Sequence, residues 1–195
     1  LGRLWAERAG VINLGLEGMM ILGTWGAAWA GYQWGPWAAL LMGAVFGGAL
    51  GGLLHAVATV TFNVNHIVSG VAITLLGTGI TKYLSTLVFF PVSHNQRMSP
   101  PVPGFDALTV TPLTSLLDAL VKTNLVFVTD VAGLLSGVLT GLTPIVLLGI
   151  VAVPASYLIL WRTRFGLRLR ACGENPVAAE SLGVSVYTHK YVAVV

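Results

Sequence analysis

Charged residues are scarce in this chain of 195 residues: Asp, Glu, Lys and Arg together make up 9% of it, against about 25% in an average soluble domain. Hydrophobic residues make up 55%, and the mean hydropathy is +0.84. This composition excludes a disordered chain and an ordinary soluble enzyme. The net charge of +3 is too small for a nucleic-acid-binding face, so we expect no nucleic-acid partner.

Cysteine is nearly absent. Cys172 is the single cysteine, which excludes an intrachain disulfide and any metal site built from several cysteines. The sequence contains no Walker A loop, no HExxH motif and no Gly-x-Ser-x-Gly motif, and its four histidines lack metal-ligand spacing. These absences argue against an enzyme, and we expect no cofactor and no metal on this chain.

What the sequence does contain is long apolar runs. About 20 apolar residues are enough to cross a bilayer as a helix, and four runs reach that range while a fifth begins near the end of the chain. We therefore predict an all-α, polytopic transmembrane helical bundle forming a single domain over residues 1–195. The chain starts at Leu1 without methionine and stops inside an apolar run, so we expect it to be a fragment of a longer membrane protein. The predicted spans are residues 9–30, 37–62, 67–90, 144–161 and the start of another at 187–195.

Arginines give the orientation of these spans. Two arginines precede the first span and four follow the fourth. Four alternating spans place both groups on one side, which the positive-inside rule makes the cytoplasmic side. Residues 91–143 then form an outer loop with short helices. A further span over 125–142 is the alternative, but it would bury Asp130 and break this parity.

Glycine is abundant, at 24 residues, and small residues let membrane helices approach closely. Gly43, Gly47 and Gly51 recur at i, i+4 and i+8, so they share one helix face. We predict close helix packing at this face, either within the subunit or between two subunits.

Five polar residues lie where lipid alone would not tolerate them: Asn13, Glu17, Asn65, His66 and Ser69. A carboxylate in hydrocarbon is costly, so Glu17 should face protein or a watery path. We predict that these residues line a translocation path and that Asn13 and Glu17, four apart, share a helix face. The alternatives are a hydrogen-bonded structural role for the first pair and helix capping by Asn65.

The basic stretch 162–186 carries its own helix signals. Asn175 is a good N-cap, Pro176 suits the first helical turn, and Gly183 suits a helix end. These signals predict a short helix over residues 177–182 within a cytoplasmic loop. Such a helix can dock a partner protein or only anchor the chain at the membrane surface.

Three motifs resemble those of ATP-binding cassette (ABC) importer permeases of the ribose and branched-chain amino-acid permease superfamily. The loop sequence GLRLRACGENPVAAESLGV at residues 166–184 resembles their coupling loop. ERAGVINLGLEGMM at residues 7–20 and HIVSGVAI at residues 66–73 resemble signatures of the nucleoside and simple-sugar subgroup. In that subgroup, glutamine is usual at the position of His66.

The resemblance implies a permease subunit in a bacterial-type plasma membrane. It would import nucleosides, or simple sugars, by alternating access coupled to a separate ATPase. Its implied partners are a cytoplasmic ATPase subunit, a second permease subunit, an extracytoplasmic substrate-binding lipoprotein and membrane lipid. An ATP-independent secondary transporter or channel is the alternative. The residues implied to contact the ATPase are Arg170, Glu174, Asn175, Pro176, Ala178, Ala179 and Gly183.

Overall fold

A computed structural model of the chain describes residues 1–95, 98–106 and 142–195, together with residues 115, 119, 121, 129–131, 133, 136 and 137. In this described part all the regular secondary structure is helical, and the helices are joined by turns and irregular segments. The helices are α1 (Gly2–Arg8), α2 (Leu16–Trp34), α3 (Pro36–Thr61), α4 (His66–Val88), α5 (Phe90–Ser93), α6 (Pro144–Arg162), α7 (Arg164–Glu174), α8 (Pro176–Ser181) and α9 (Val186–Val194).

Within the described residues, three helices are long and apolar enough to cross a membrane: α3, α4 and α6. They agree closely with the predicted spans at 37–62, 67–90 and 144–161. Helix α2 has 19 residues but is not one of the three, because its glycines, tryptophans and polar residues lower its hydropathy.

The predicted first span, residues 9–30, is wrong at its start. Residues 9–15 are not helical, and α2 begins only at Leu16. Gly10 has a φ of +79°, which ends any helix there, and Gly15 is a weak helix former. Asn13 and Glu17 therefore do not share a helix face.

Helix α2 lies between α3 and α4, and glycines line both contacts. A Cβ on Gly47 of α3 would lie 2.8 Å from the carbonyl oxygen of Met19 and 3.0 Å from Cα of Gly23. A Cβ on Gly77 of α4 would lie 2.7 Å from the carbonyl oxygen of Gly18. Backbone thus meets backbone on both sides of α2, which only glycine permits.

The other two glycines of the predicted packing face also contact α2. A Cβ on Gly43 would lie 3.2 Å from Cβ of Ala27, and one on Gly51 would lie 2.8 Å from Cγ of Met19. The face Gly43, Gly47 and Gly51 therefore packs against α2 of the same chain. Helix α3 reaches this contact with π-helical hydrogen bonding over Ala44–Gly51 and again over Val57–Thr61.

The described chain divides into two compact units, one formed by Leu1–Pro103 with Ser156–Val195 and the other by Gly104–Ala155. Most of the predicted outer loop, including Asp118 and Lys122, lies outside the described residues, as does most of the alternative span 125–142. In the second unit, the described helical stretch 144–155 presents largely exposed apolar side chains, as expected for a helix surrounded by lipid.

Three small apolar clusters hold the end of the first unit that carries the arginines of α1, α6 and α7. They draw on α1, the segment 9–15, α3, α6 and the helices from α7 onward. The clusters are Ala6, Val11, Ala56 and Val194; Ala9, Leu160, Leu169 and Ala193; and Cys172, Ala179 and Val186. Residues far apart in sequence therefore form one packed base.

Candidate functional site

The non-helical segment 9–15 runs through this base. Ala9 and Val11 are fully buried, and Asn13 is 3% exposed. The side-chain oxygen of Asn13 accepts a hydrogen bond of 3.0 Å from the backbone N–H of Gly15, and its amide nitrogen donates to Sδ of Met19 at 3.6 Å. Asn13 therefore shapes the turn that leads into α2, which is a structural use of its side chain.

Two histidines bind both peptide groups of Ile12 in this segment. The N–H of Ile12 donates to Nδ1 of His66 at 2.9 Å. The carbonyl oxygen of Ile12 lies 3.3 Å from Nε2 of His55. A carbonyl oxygen can only accept, so Nε2 of His55 is the donor. Ile12 thus obtains from side chains the hydrogen bonds that a helix would have supplied.

The donor role of Nε2 in His55 determines the hydrogen-bonding role of Nδ1, the other ring nitrogen. With Nε2 protonated in the neutral ring, Nδ1 is an acceptor, and it lies 3.0 Å from Oγ of Ser69. The Ser69 hydroxyl therefore donates to His55. Both groups are buried: His55 is 0% exposed and Ser69 is 4% exposed.

The five predicted path residues separate into two groups. His66 and Ser69 meet around Ile12 through His55, and Asn13 lies in the same segment. Asn65 is exposed, and its side-chain oxygen caps α4 by accepting from the N–H of Ile67 at 2.9 Å. Glu17 is exposed in the first turn of α2. Neither takes part in the hydrogen bonds around Ile12.

Sequence reasoning missed His55. The available signal was a single histidine in the apolar run of α3, where an unpaired ring would be costly. Its partners lie 14 and 43 residues away in sequence, so no local pattern identifies them.

A cavity of about 380 Å³ opens beside this histidine pair. Its wall includes His66 of α4, Thr59 of α3, Glu180 of α8 and Lys190 of α9. The cavity therefore lies between the end of α3, the start of α4 and the short helices that follow α7, and its wall carries one acidic and one basic side chain.

The stretch 162–186, predicted as a loop with one short helix, contains two helices. Helix α7 was not predicted. Its N-cap is Thr163, whose hydroxyl accepts from the N–H of Gly166 at 3.1 Å. Its arginines obscured an amphipathic pattern in which Gly166, Leu169 and Cys172 are buried.

The predicted short helix is present as α8. The side-chain oxygen of Asn175 accepts from the N–H of Ala178 at 3.0 Å, Pro176 occupies the first turn, and Gly183 follows with a φ of +80°. Capping, helix start and helix end are as the sequence predicted, because all three signals act through local backbone chemistry.

The two faces of α8 differ sharply. Ala179 is 2% exposed and packs with Cys172 and Val186. It therefore anchors α8 to the rest of the chain and does not lie on the exposed face predicted to contact the ATPase. Val177 and Leu182 are 78% and 83% exposed, while Glu174, Asn175 and Ala178 are also exposed. The exposed apolar side chains at α8 are therefore Val177 and Leu182, which the sequence reasoning did not single out.

Arg170 does not belong to that surface. Its guanidinium carbon lies 5.5 Å from the ring centre of Trp161, and that of Arg8 lies 5.3 Å from the same ring. These are cation–π distances. One arginine from each of the two groups that flank the predicted spans thus lies against the same tryptophan ring.

Cys172 lies beneath α8 and is fully buried. Burial raises the pKa of its thiol, which keeps the sulfur protonated and unreactive. Among the described residues, no group of three or more His, Cys, Asp or Glu side chains is arranged to hold a metal ion.

Comparison with known proteins gives a consistent assignment. Residues 1–195 match the family described as branched-chain amino acid transport system / permease component. The chain is 34% identical over 205 residues to the guanosine ABC transporter permease protein NupQ of Bacillus subtilis (strain 168) and 35% identical over 203 residues to the nucleoside ABC transporter permease protein NupC of Lactococcus lactis subsp. cremoris (strain MG1363). It is 34% identical over 197 residues to the putative glucose ABC transporter permease protein TsgC13 of Haloferax volcanii.

These alignments cover 100% of the chain but only 57%, 57% and 53% of the three relatives. The chain therefore spans slightly more than half the length of the curated relatives it matches. No solved structure gives a significant match.

Proposed function

Because the chain belongs to the family described as branched-chain amino acid transport system / permease component, we propose that it is part of the permease subunit of an ATP-driven importer. It is an integral membrane protein, as its apolar helices and its bacterial relatives indicate. ATP hydrolysis is assigned in this proposal to a separate cytoplasmic subunit.

The observation that supports the proposal best is the build of α8. A helix of six residues is too short to be stable alone, so its cap and its buried Ala179 must hold it in place. That support leaves Val177 and Leu182 exposed at the side of the molecule that carries the arginines. An exposed apolar pair on a rigidly held element is suited to docking another protein.

The proposed mechanism is alternating access. ATP-driven closure of two ATPase subunits moves α8, and the move passes through the packed base to the membrane helices of a permease pair. Substrate arrives from an extracytoplasmic binding lipoprotein, which supplies most of the affinity. The permease itself then needs only weak contacts along its path.

The proposed cargo is a nucleoside, with simple sugars second, since two of the relatives quoted above are named for guanosine or nucleosides and one for glucose. Glu17 and Asn65 remain proposed path residues because their side chains are exposed. Asn13 and Ser69 are weaker candidates, since their polar groups already bond within the protein.

The test uses the full-length parent protein and its cognate ATPase, co-purified from membranes. Val177→Gln with Leu182→Gln should reduce the bound ATPase by about tenfold or more, because polar groups replace a buried apolar contact. Leu167→Gln is the matched control, since Leu167 is also exposed, at 62%, but lies on α7.

Unchanged ATPase binding in the double variant would overturn docking through α8. Transport by the wild-type protein without ATP would favour the alternative, a secondary transporter or channel. Loss of binding in Leu167→Gln as well would place the docking surface on α7.

A further inference from the structure

The hydrogen bonds around Ile12 have a feature that the proposed function does not use. Residues 9–15 cross the packed base and are not helical, and peptide groups outside regular secondary structure need other hydrogen-bond partners. For Ile12, both partners are imidazoles from different membrane helices: His55 of α3 and His66 of α4. The two rings lie 6.4 Å apart, centre to centre.

The segment held in this way contacts the arginine-rich loop on one side. A Cβ on Gly10 would lie 3.1 Å from Cα of Gly173, at the end of α7. The reverse contact is as close, since a Cβ on Gly173 would lie 3.0 Å from the backbone nitrogen of Gly10. No flexible side chain separates the two backbones.

On its other side the segment contacts α4. A Cβ on Gly70 would lie 2.8 Å from the carbonyl carbon of Leu14 and 2.9 Å from the nitrogen of Gly15. The segment is therefore in direct backbone contact with the end of α7 at one end and with a membrane helix at the other. A displacement of one contact is passed to the other only if the segment between them stays rigid.

We infer that His55 and His66 are positioning residues that keep segment 9–15 rigid as a link between the coupling loop and α4. The inference rests on the proposed function. It also changes the role predicted for His66 from a path-lining residue to a clamp on Ile12. Nδ1 of His66 and both nitrogens of His55 are engaged within the protein, so these three atoms already have partners other than a substrate.

His66 binds Ile12 through Nδ1, whereas His55 binds it through Nε2. Replacement by Asn and by Gln should therefore have opposite effects at the two positions. In Asn, Oδ1 is as many bonds from Cβ as Nδ1 is in His, so His66→Asn keeps an acceptor for the N–H of Ile12 and His66→Gln displaces it. In Gln, Nε2 is as many bonds from Cβ as Nε2 is in His. His55→Gln therefore keeps the donor for the Ile12 carbonyl, and His55→Asn removes it.

The experiment reconstitutes the full-length parent with its ATPase and binding protein in liposomes and measures guanosine transported per ATP hydrolysed. His66→Gln and His55→Asn should lower this ratio by about fivefold or more, because each loses one of the two hydrogen bonds that hold Ile12. His66→Asn should stay within about twofold of wild type. His55→Gln keeps the donor for Ile12 but loses the acceptor for Ser69, so its ratio should lie above that of His55→Asn and below that of wild type. ATPase binding should be unchanged in all four, because α8 is not altered.

Hydrogen exchange at the Ile12 amide gives a second readout that needs no transport. Exchange should be faster in His66→Gln than in His66→Asn. The inference would be overturned if the Asn and Gln variants at each histidine gave equal transport ratios and the two His66 variants gave equal exchange at Ile12. The opposite order in either measurement would also overturn it. If wild type itself binds no ATPase and moves no guanosine, the proposed function fails, while the exchange comparison still decides whether the clamp exists.

Discussion

Gly10 and Gly173 face each other so closely that neither tolerates a side chain. Gly10 lies in the segment before α2, and Gly173 lies near the end of α7, yet a Cβ on either would lie within about 3.1 Å of the other's backbone. Each residue comes from one of the motifs that the sequence analysis compared with a permease family. The two motifs are thus in direct contact.

Replacement of Gly173 by alanine should destabilise this contact. The added Cβ would collide with the carbonyl oxygen of Arg8 and approach Gly10, and overpacking of this kind costs about 1–3 kcal/mol. Thermal unfolding of the full-length protein in detergent measures the loss. Gly79→Ala is the matched control, because a Cβ there would meet nothing within 4 Å. Equal unfolding temperatures for the two variants would contradict the described packing.

Removal of the α8 cap should weaken docking without unfolding the protein. Asn175→Ala deletes the acceptor for the N–H of Ala178, at a cost of about 0.5–2 kcal/mol. Hydrogen exchange in α8 should become faster, and the ATPase should bind less tightly. Asn175→Asp keeps an acceptor oxygen and should restore both readings, so a failure of Asp to rescue would argue against capping as the role of Asn175.

Gly47 and its neighbour Gly48 should respond oppositely to alanine. At Gly47 the new methyl would lie 2.8 Å from the Met19 carbonyl oxygen, so α2 and α3 must separate. At Gly48 the nearest atom is 3.9 Å away, and alanine there should be neutral or favourable by about 0.5–1 kcal/mol. Unfolding temperatures in detergent distinguish the two, and a harmless Gly47→Ala would refute the packing face.

Cys172 should resist thiol reagents in the folded protein. Its side chain is buried, so a reagent cannot reach the sulfur. Burial also raises the pKa of the thiol, so the reactive thiolate form is scarce at neutral pH. A membrane-impermeant maleimide should label Ser181→Cys, which is exposed, far faster than Cys172. Rapid labelling of wild type before denaturation would contradict the buried position.

The parts of this structure that the sequence predicted are those with local causes. The cap Asn175, the start at Pro176 and the end at Gly183 each act on a backbone group within a few residues. The apolar runs predicted three long apolar helices for a similar reason, since hydropathy is a property of contiguous residues. The same hydropathy placed residues 9–15 in a helix, because it records what is buried and not the backbone conformation.

What the sequence did not reveal depends on distant partners. The role of His55 is set by Ile12 and Ser69, and the burial of Ala179 is set by Cys172 and Val186. Helix α7 was missed because its three arginines resembled a solvated loop, although its buried side is regular. Each of these follows from tertiary packing, which overrides local preference.

The π-helical stretch Ala44–Gly51 lies upstream of His55 on α3. A π turn accommodates one more residue than an α turn, and each residue rotates an α-helix by about 100°. The extra residue therefore rotates the part of the helix after it relative to the part before it. With this rotation, the glycines face α2 and the imidazole of His55 faces Ile12. A relative lacking one residue at the end of this stretch would keep the contacts of Gly43 and Gly47 but turn its histidine away from the segment, so an alignment gap there reports whether a homologue retains the clamp.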